Sequence, residues 1–295
     1  MTTIGFIGLG VMGGPMAANL VAAGFDVIGY NRSPAKVQAL IDKGGRGAAS
    51  IAEAVRDADV VITMLPDSPD VEDAVIGAVG VLAGARPRLL LIDMSTIRPD
   101  VSRRIAAAGA QKGVRVLDAP VSGGEAAAIE GTLSIMVGGD TADVADAKHV
   151  FEAVGLTIAH VGAHGAGQIV KAANQLIVAG NIGLLAEALI FLDSHGVDLD
   201  PAVRVLGGGL AGSTVLERKA PGMLAGNFAP GFRLALQHKD LGIVTAAARE
   251  AGVVIPLGAT VAQMVAALVA RGDSDLDHSG LLKLVSELSG RPLST

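Results

Sequence analysis

The chain has no cysteine. That excludes disulfides, thiolate metal sites and a cysteine nucleophile, and it suits a reducing compartment. Aromatic side chains are scarce, with six phenylalanines and one tyrosine in 295 residues. Positive charge is not in excess. Residues 1–164 carry 13 basic and 18 acidic side chains, residues 165–295 carry 10 and 11, and the formal net charge is −6. Without a basic face or aromatic platforms, nucleic-acid binding by electrostatics or base stacking has little support. The histidines at 149, 160, 164, 195, 238 and 278 are scattered, with no metal-ligand spacing, so no metal is expected. The N-terminus lacks a basic stretch followed by a cleavable apolar segment, and the protein is expected in the cytoplasm. The most apolar run, Leu176 to Leu192, contains Asn181 and Glu187. Both would be costly in lipid, so the run reads as a buried helix and no membrane partner is expected.

What the chain does have is apolar mass. Hydrophobic residues make up 51% and charged residues 18%, enough to bury sizeable cores, and the length suggests about two domains. Up to residue 164, short apolar runs alternate with helix-like segments. Strands are predicted at Ile4–Ile7, Val27–Tyr30, Val60–Met64, Leu89–Ile92, Val116–Asp118 and Ser134–Val137. Helices are predicted at Met16–Ala23, Pro34–Lys43, Ile51–Arg56, Val71–Ile76 and Pro99–Lys112. Such alternation predicts an α/β domain with a mostly parallel, doubly wound sheet. From Gly167 the pattern turns all-helical. Gln168 to about Ser194 reads as one long helix, apolar nearly all round and therefore buried on several sides. Further helices are predicted at Pro201–Gly207, Ser213–Lys219, Asp240–Ala251 and Pro256–Arg271. The domains are expected to be 1–164 and 165–295.

Gly8-Leu9-Gly10-Val11-Met12-Gly13 follows the first strand and opens a helix. This is the context that a dinucleotide-binding G-x-G-x-x-G requires. The first glycine permits the tight turn, the second lets a pyrophosphate reach the backbone, and the third packs helix on strand. An acid usually closes the second strand to read the ribose. Here Asn31-Arg32-Ser33 stands in its place, with Lys36 nearby. Arg32 can pair with a 2′-phosphate, and Asn31 and Ser33 can hydrogen-bond it, which favours NADP(H) while leaving NAD(H) open.

Lys171 interrupts the apolar start of the long helix. A cation there lines a cleft or is paired, and burial would draw its pKa toward the range useful for acid–base work. Gln175 lies one turn on and Asn174 at i+3, so either can share the lysine's side. Ser122-Gly123-Gly124 follows a strand, and a hydroxyl with open backbone N–H groups suits a carboxylate.

Phe6–Leu20 resembles the signature of the β-hydroxyacid dehydrogenases. The resemblance spans the chain. It includes Thr63-Met64-Leu65-Pro66, Asp93-Met94-Ser95-Thr96, Asp118-Ala119-Pro120-Val121-Ser122-Gly123-Gly124, Gly165-Ala166-Gly167 before Lys171, and Lys239-Asp240. A narrower resemblance, to the family's tartronate semialdehyde reductase branch, is carried by Asn174-Gln175, Gly207–Leu216, Asn227–Arg233 and Asp277-His278-Ser279. Arg218, Lys219 and Arg233 lie in or beside these stretches.

The resemblance implies an N-terminal Rossmann domain, a long inter-domain helix and an all-α C-terminal domain. It also implies a homo-oligomer, dimer or tetramer. The implied reaction is reduction of a small semialdehyde acid, tartronate semialdehyde to D-glycerate, with another β-hydroxy acid as the alternative. A non-catalytic dinucleotide sensor is the reading from a different class. Lys171 becomes the acid/base. Ser122, Gly123 and Gly124 hold the substrate carboxylate, and Asn174 or Gln175 contacts the substrate. Thr96 lies near nicotinamide and substrate. Met64, Leu65 and Pro66 line the cofactor channel, and Phe232, Lys239 and Asp240 reach the cofactor from the helical domain.

Overall fold

The computed structural model describes residues 1–291. Among the described residues there are nine strands: β1 (Thr3–Ile7), β2 (Asp26–Tyr30), β3 (Arg46–Gly47), β4 (Val60–Thr63), β5 (Leu90–Asp93), β6 (Arg115–Asp118), β7 (Val121–Ser122), β8 (Leu133–Gly138) and β9 (Gly155–Gly162). They form one sheet in the order β3-β2-β1-β4-β5-β6-β8-β7, with β9 alongside β8. The pairs from β3 to β6 are all parallel, and β8 joins β6 and β7 antiparallel. This is a Rossmann-like, doubly wound sheet. The chain reverses its winding direction between β1 and β4, and ligands of such sheets bind outside the carboxyl ends of the strands at that point.

Successive side chains on a strand point to opposite faces, and both faces here are covered. Ile4, Phe6, Ile62, Leu90, Ile92 and Leu117 enter one core with Met16 and Leu20 of the helix Gly13–Ala22. Ile7, Val61, Leu91 and Val116 enter a second core with Val71, Val75, Val101 and Ile105. A parallel sheet buried on both sides reads as continuous apolar runs, which is why the sequence showed its strands plainly. The six predicted strands are all present. The two-residue β3 and β7 and the mostly exposed β9 were not foreseen, nor were the helices Gly124–Glu130 and Thr141–Glu152.

The long helix runs Ala166–Ser194. The chain divides into two compact units within it, at Lys171/Ala172, where the sequence suggested residues 164/165. In the second unit the helices Thr214–Leu224, Leu234–Glu250, Pro256–Ala270 and Leu281–Leu288 build a core with Ala179, Ile182, Ala186 and Leu189. The expectation that the long helix is buried on several sides needs correction. Ile177, Leu184 and Phe191 are exposed within the single chain, each one heptad from the next, so only one broad stripe is covered. The helix is long and apolar enough to cross a membrane, yet this stripe is packed into a protein core.

Leu90 and Leu91 are adjacent, fully buried and committed to opposite cores. Leu90→Ala and Leu91→Ala should each destabilise the fold by about 2–5 kcal/mol in urea unfolding. A near-neutral result for either would mean that one face of the sheet is open.

Candidate active site

The loop after β1 shows three glycines doing different work. Gly8 sits at φ +102°, and a Cβ there would lie 2.3 Å from the Met64 carbonyl oxygen. A Cβ on Gly13 would meet the Gly8 carbonyl at 1.9 Å and the Phe6 ring at 3.0 Å. Gly10 has nothing within 4 Å of its Cβ position. The first and third glycines are thus required by the protein, and the second leaves its outer side open. The helix Gly13–Ala22 has no capping side chain and no acid in its first turn. Its N-terminal N–H groups and partial positive charge suit phosphate, so the residues present fit a dinucleotide.

At the end of β2, Asn31 accepts the Leu9 N–H at 3.0 Å through Oδ1. It thereby ties the glycine loop to the neighbouring strand. The Arg32 side chain is 83% exposed, and it makes a loose ion pair with Asp70 at 3.9 Å. Ser33 caps the helix Pro34–Ile41 without using its side chain on that helix. Arg32, Ser33 and Lys36 are all exposed at this helix start.

Beside this loop lies a buried polar cluster at the carboxyl ends of β4, β5 and β6. Asp93 and Asp118 are register partners on β5 and β6. Asp93 Oδ1 accepts the Thr63 hydroxyl at 2.7 Å and the Ser95 N–H at 3.2 Å. Its Oδ2 is buried without a hydrogen-bond partner among the described residues. Burial pushes the Asp93 carboxyl up to about 6, against the hydrogen bonds from Ser95 and Thr63. Ser95 Oγ accepts the Leu65 N–H at 2.9 Å, which anchors Met64-Leu65-Pro66. Asp118 accepts the Gly165 N–H at 2.7 Å and the Gln168 N–H at 3.1 Å. It therefore satisfies donors that the start of the long helix would otherwise leave orphaned. Burial raises its pKa as well.

Lys171 is one helical turn beyond Gln168 and only 7% exposed. Gln168, Lys171 and Gln175 form a buried polar stripe that Ala179, Ile182 and Ala186 continue as apolar. Ser122 is half-buried at the end of β7. Gly123 and Gly124 follow at φ +139° and +71°, a backbone path that side chains rarely allow. A Cβ on Gly123 would collide with Ala127 at 2.5 Å, whereas Gly124 faces open space.

In the second unit, Gln175 Nε2 donates to Asp240 Oδ2, and Asn174 Nδ2 donates to Gln175 Oε1 at 2.8 Å. Lys239 pairs with the other Asp240 oxygen at 2.9 Å. Asp277 forms a separate hub. It accepts from Lys219 Nζ at 2.9 Å and from the N–H groups of Gly231, Phe232 and Ser279, each at 3.0 Å. Next to it, His278 is buried with Nδ1 3.0 Å from Gln237 Oε1. Desolvation, then the Lys219 charge, lowers the His278 pKa to about 4. Asn31, Asp93, Asp118 and Gln168 were not read as structural supports. Their only sequence signal is a polar residue at the edge of an otherwise apolar run.

A family model described as the NAD binding domain of 6-phosphogluconate dehydrogenase matches residues 3–162. A second, described as NAD-binding of NADP-dependent 3-hydroxyisobutyrate dehydrogenase, matches residues 165–285. The chain is 38% identical to the 2-hydroxy-3-oxopropionate reductase of Escherichia coli, covering 99% of each. It is 41% identical to the 3-hydroxyisobutyrate dehydrogenase of Pseudomonas aeruginosa, covering 96% of this chain and 98% of that one. The chain belongs to the β-hydroxyacid dehydrogenase family. Its fold matches a solved Mycobacterium tuberculosis 3-hydroxyisobutyrate dehydrogenase with L-serine. The TM-score is 0.88 at 38% identity, over 97% of this chain and 99% of that one. Family members are oxidoreductases with a nicotinamide cofactor, and the glycine loop described above is the part of this chain that suits one.

Two buried groups give opposite pH dependences. The raised Asp93 pKa means that the folded state holds more protons than the unfolded between about pH 4 and 6, so stability falls as pH rises there. The lowered His278 pKa means that the unfolded state holds more protons between about pH 4 and 6.5, so stability rises there. Each contribution is on the order of 2–3 kcal/mol. In urea midpoints across this range, the slope of stability against pH should become more positive than the parent's in Asp93→Asn and more negative in His278→Gln. Identical profiles for the two variants would contradict both assignments.

Proposed function

We propose that the chain reduces tartronate semialdehyde (2-hydroxy-3-oxopropanoate) reversibly to D-glycerate in the cytoplasm, with NADP(H) preferred over NAD(H). The observation that carries this reading is Lys171, a cation buried on an apolar helix with polar neighbours one turn to either side. A nicotinamide held at the glycine loop would supply the hydride for reduction and accept it in oxidation. Lys171 gives its proton to the carbonyl oxygen in reduction and takes it back in oxidation. Ser122 Oγ and the backbone at Gly123 and Gly124 hold the substrate carboxylate. Asn174 contacts the substrate while Gln175, whose amide is committed to Asp240 and Asn174, supports it. Thr96 borders both ligands.

The branch assignment rests on Gly207–Leu216, Asn227–Arg233 and Asp277-His278-Ser279. A 3-hydroxy acid such as 3-hydroxyisobutyrate or serine is the second reading, favoured by the comparable identity to 3-hydroxyisobutyrate dehydrogenases. One methyl group in an apolar pocket shifts discrimination by only about 1–3 kcal/mol, so the substrates need direct comparison. The exposed heptad stripe Ile177, Leu184 and Phe191 supports a homo-oligomer, since such a face gains by being covered.

The test is kcat/KM for tartronate, methylmalonate and succinic semialdehydes, and for oxidation of serine, with each cofactor. Preference for tartronate semialdehyde supports the reading, and preference for another substrate replaces it while keeping the chemistry. Lys171→Ala should lower kcat by on the order of 10²–10⁴ with cofactor binding retained. Near-normal turnover removes Lys171 from its role.

Arg32 is assigned to the 2′-phosphate together with Ser33 and Lys36. Its loose contact with Asp70 costs little to give up. Arg32→Ala should raise KM for NADPH about tenfold or more, the worth of one charge-assisted hydrogen bond, and leave KM for NADH within about twofold. An equal change for both cofactors would mean that Arg32 serves only the shared adenine end.

A further inference from the structure

Gln168 makes two hydrogen bonds that bracket a single residue. Its Nε2 donates to the Ser95 carbonyl at 2.8 Å, and its Oε1 accepts the Ile97 N–H at 3.1 Å. Between them lies Thr96. Ser95 and Ile97 are fully buried, whereas Thr96 is half-exposed. A side-chain amide that pairs with a carbonyl and an N–H two residues apart copies the way a neighbouring strand would pair. The loop after β5 is therefore held as if its strand continued past Asp93.

The same residue is anchored from behind. Its own N–H donates to Asp118 at the end of β6. The helix start, the loop after β5 and the end of β6 thus meet at one buried residue. Lys171 follows three residues later, on the same side of the helix. The distance from the Thr96 backbone to the lysine is then set by one helical turn and two hydrogen bonds.

We propose that Gln168 is a positioning residue that fixes the Thr96 loop relative to Lys171, and so sets where the reacting carbonyl meets its proton donor. This rests on Lys171 being the proton donor, as proposed above. Gln168 touches no reacting atom. It acts by removing the freedom of two groups that do, and small misplacements in such pairs cost large factors in rate.

Three measurements separate this from a merely structural role. In the cofactor-free protein, amide hydrogen exchange should show the Ile97 N–H losing protection in Gln168→Leu, while the Ile92 N–H in β5 stays protected. With the best substrate from the panel, Gln168→Leu should lower kcat by about tenfold or more and leave KM for the cofactor within about twofold. The double variant with Lys171→Ala should be no slower than Lys171→Ala alone, since Gln168 acts through the lysine. Gln168→Glu guards against a misfolded Gln168→Leu. Its protonated carboxyl offers the same donor and acceptor, so its kcat relative to the parent should recover as pH falls. Unchanged Ile97 exchange, unchanged kcat, or losses that multiply with Lys171→Ala would overturn the proposal. Full activity in Lys171→Ala would instead fault the proton-donor reading, and the exchange result would still stand or fall alone.

Discussion

Burial of the sheet on both faces leaves the carboxyl ends of its strands as the place where this unit can present polar groups. Between β1 and β6 every strand interior is apolar, and polar residues appear as the strands finish: Thr63, Asp93, Ser95 and Asp118. A buried polar group without partners costs on the order of 1–3 kcal/mol, so these groups must find one another. They do so across strands: Thr63 to Asp93, Leu65 to Ser95, and Gly165 and Gln168 to Asp118. The Met64–Pro66 segment, the Thr96 loop and the start of the long helix are held by that one network, while Asn31 holds the glycine loop from β2. Each is a segment with a proposed part in binding or chemistry.

The long helix is where this network meets the proposed acid. An apolar helix can carry a buried lysine only if its surroundings compensate the charge or the lysine is used. Here the polar stripe Gln168, Lys171 and Gln175 is confined to the helix's first turns, and the remainder of that stripe returns to alanine and leucine. The helix is thus two things in sequence: a polar rod where it leaves the sheet, and a core element of the helical unit beyond.

Much of this could be read before any coordinates. The apolar strands, the glycine loop and the odd lysine are visible because each breaks or keeps a period: two for strands, a fixed glycine spacing for the loop, one charge in a run without charges. The supports were hidden for the opposite reason. Asn31 was read as a hydrogen-bond partner for a 2′-phosphate, and an amide at that point in the chain can face a phosphate or a backbone. Its Oδ1 receives the Leu9 N–H, a support that the linear sequence does not announce. Gln168 was read only as the first residue of the long helix, because nothing in a linear chain brings residue 168 beside residues 95 and 97. Strand β9 escaped because it pairs with one neighbour and exposes most of its side chains, so no strict alternation was imposed on it.

Asp277 applies the same physics without a sheet. Burial opposes its charge, yet the positive field of His278, the Ser279 and Lys219 bonds and the Phe232 N–H hold its pKa down to about 2. His278 is charged at the acid pH where Asp277 titrates and neutral near pH 7, given its own pKa of about 4. The carboxylate therefore stays ionised throughout the neutral range and keeps the segment Gly231-Phe232 pinned to Lys219 and Ser279. In both units a buried acid does what a continuous strand or helix cannot. It gathers backbone N–H groups from irregular segments, so that loops without periodic hydrogen bonding acquire one defined geometry.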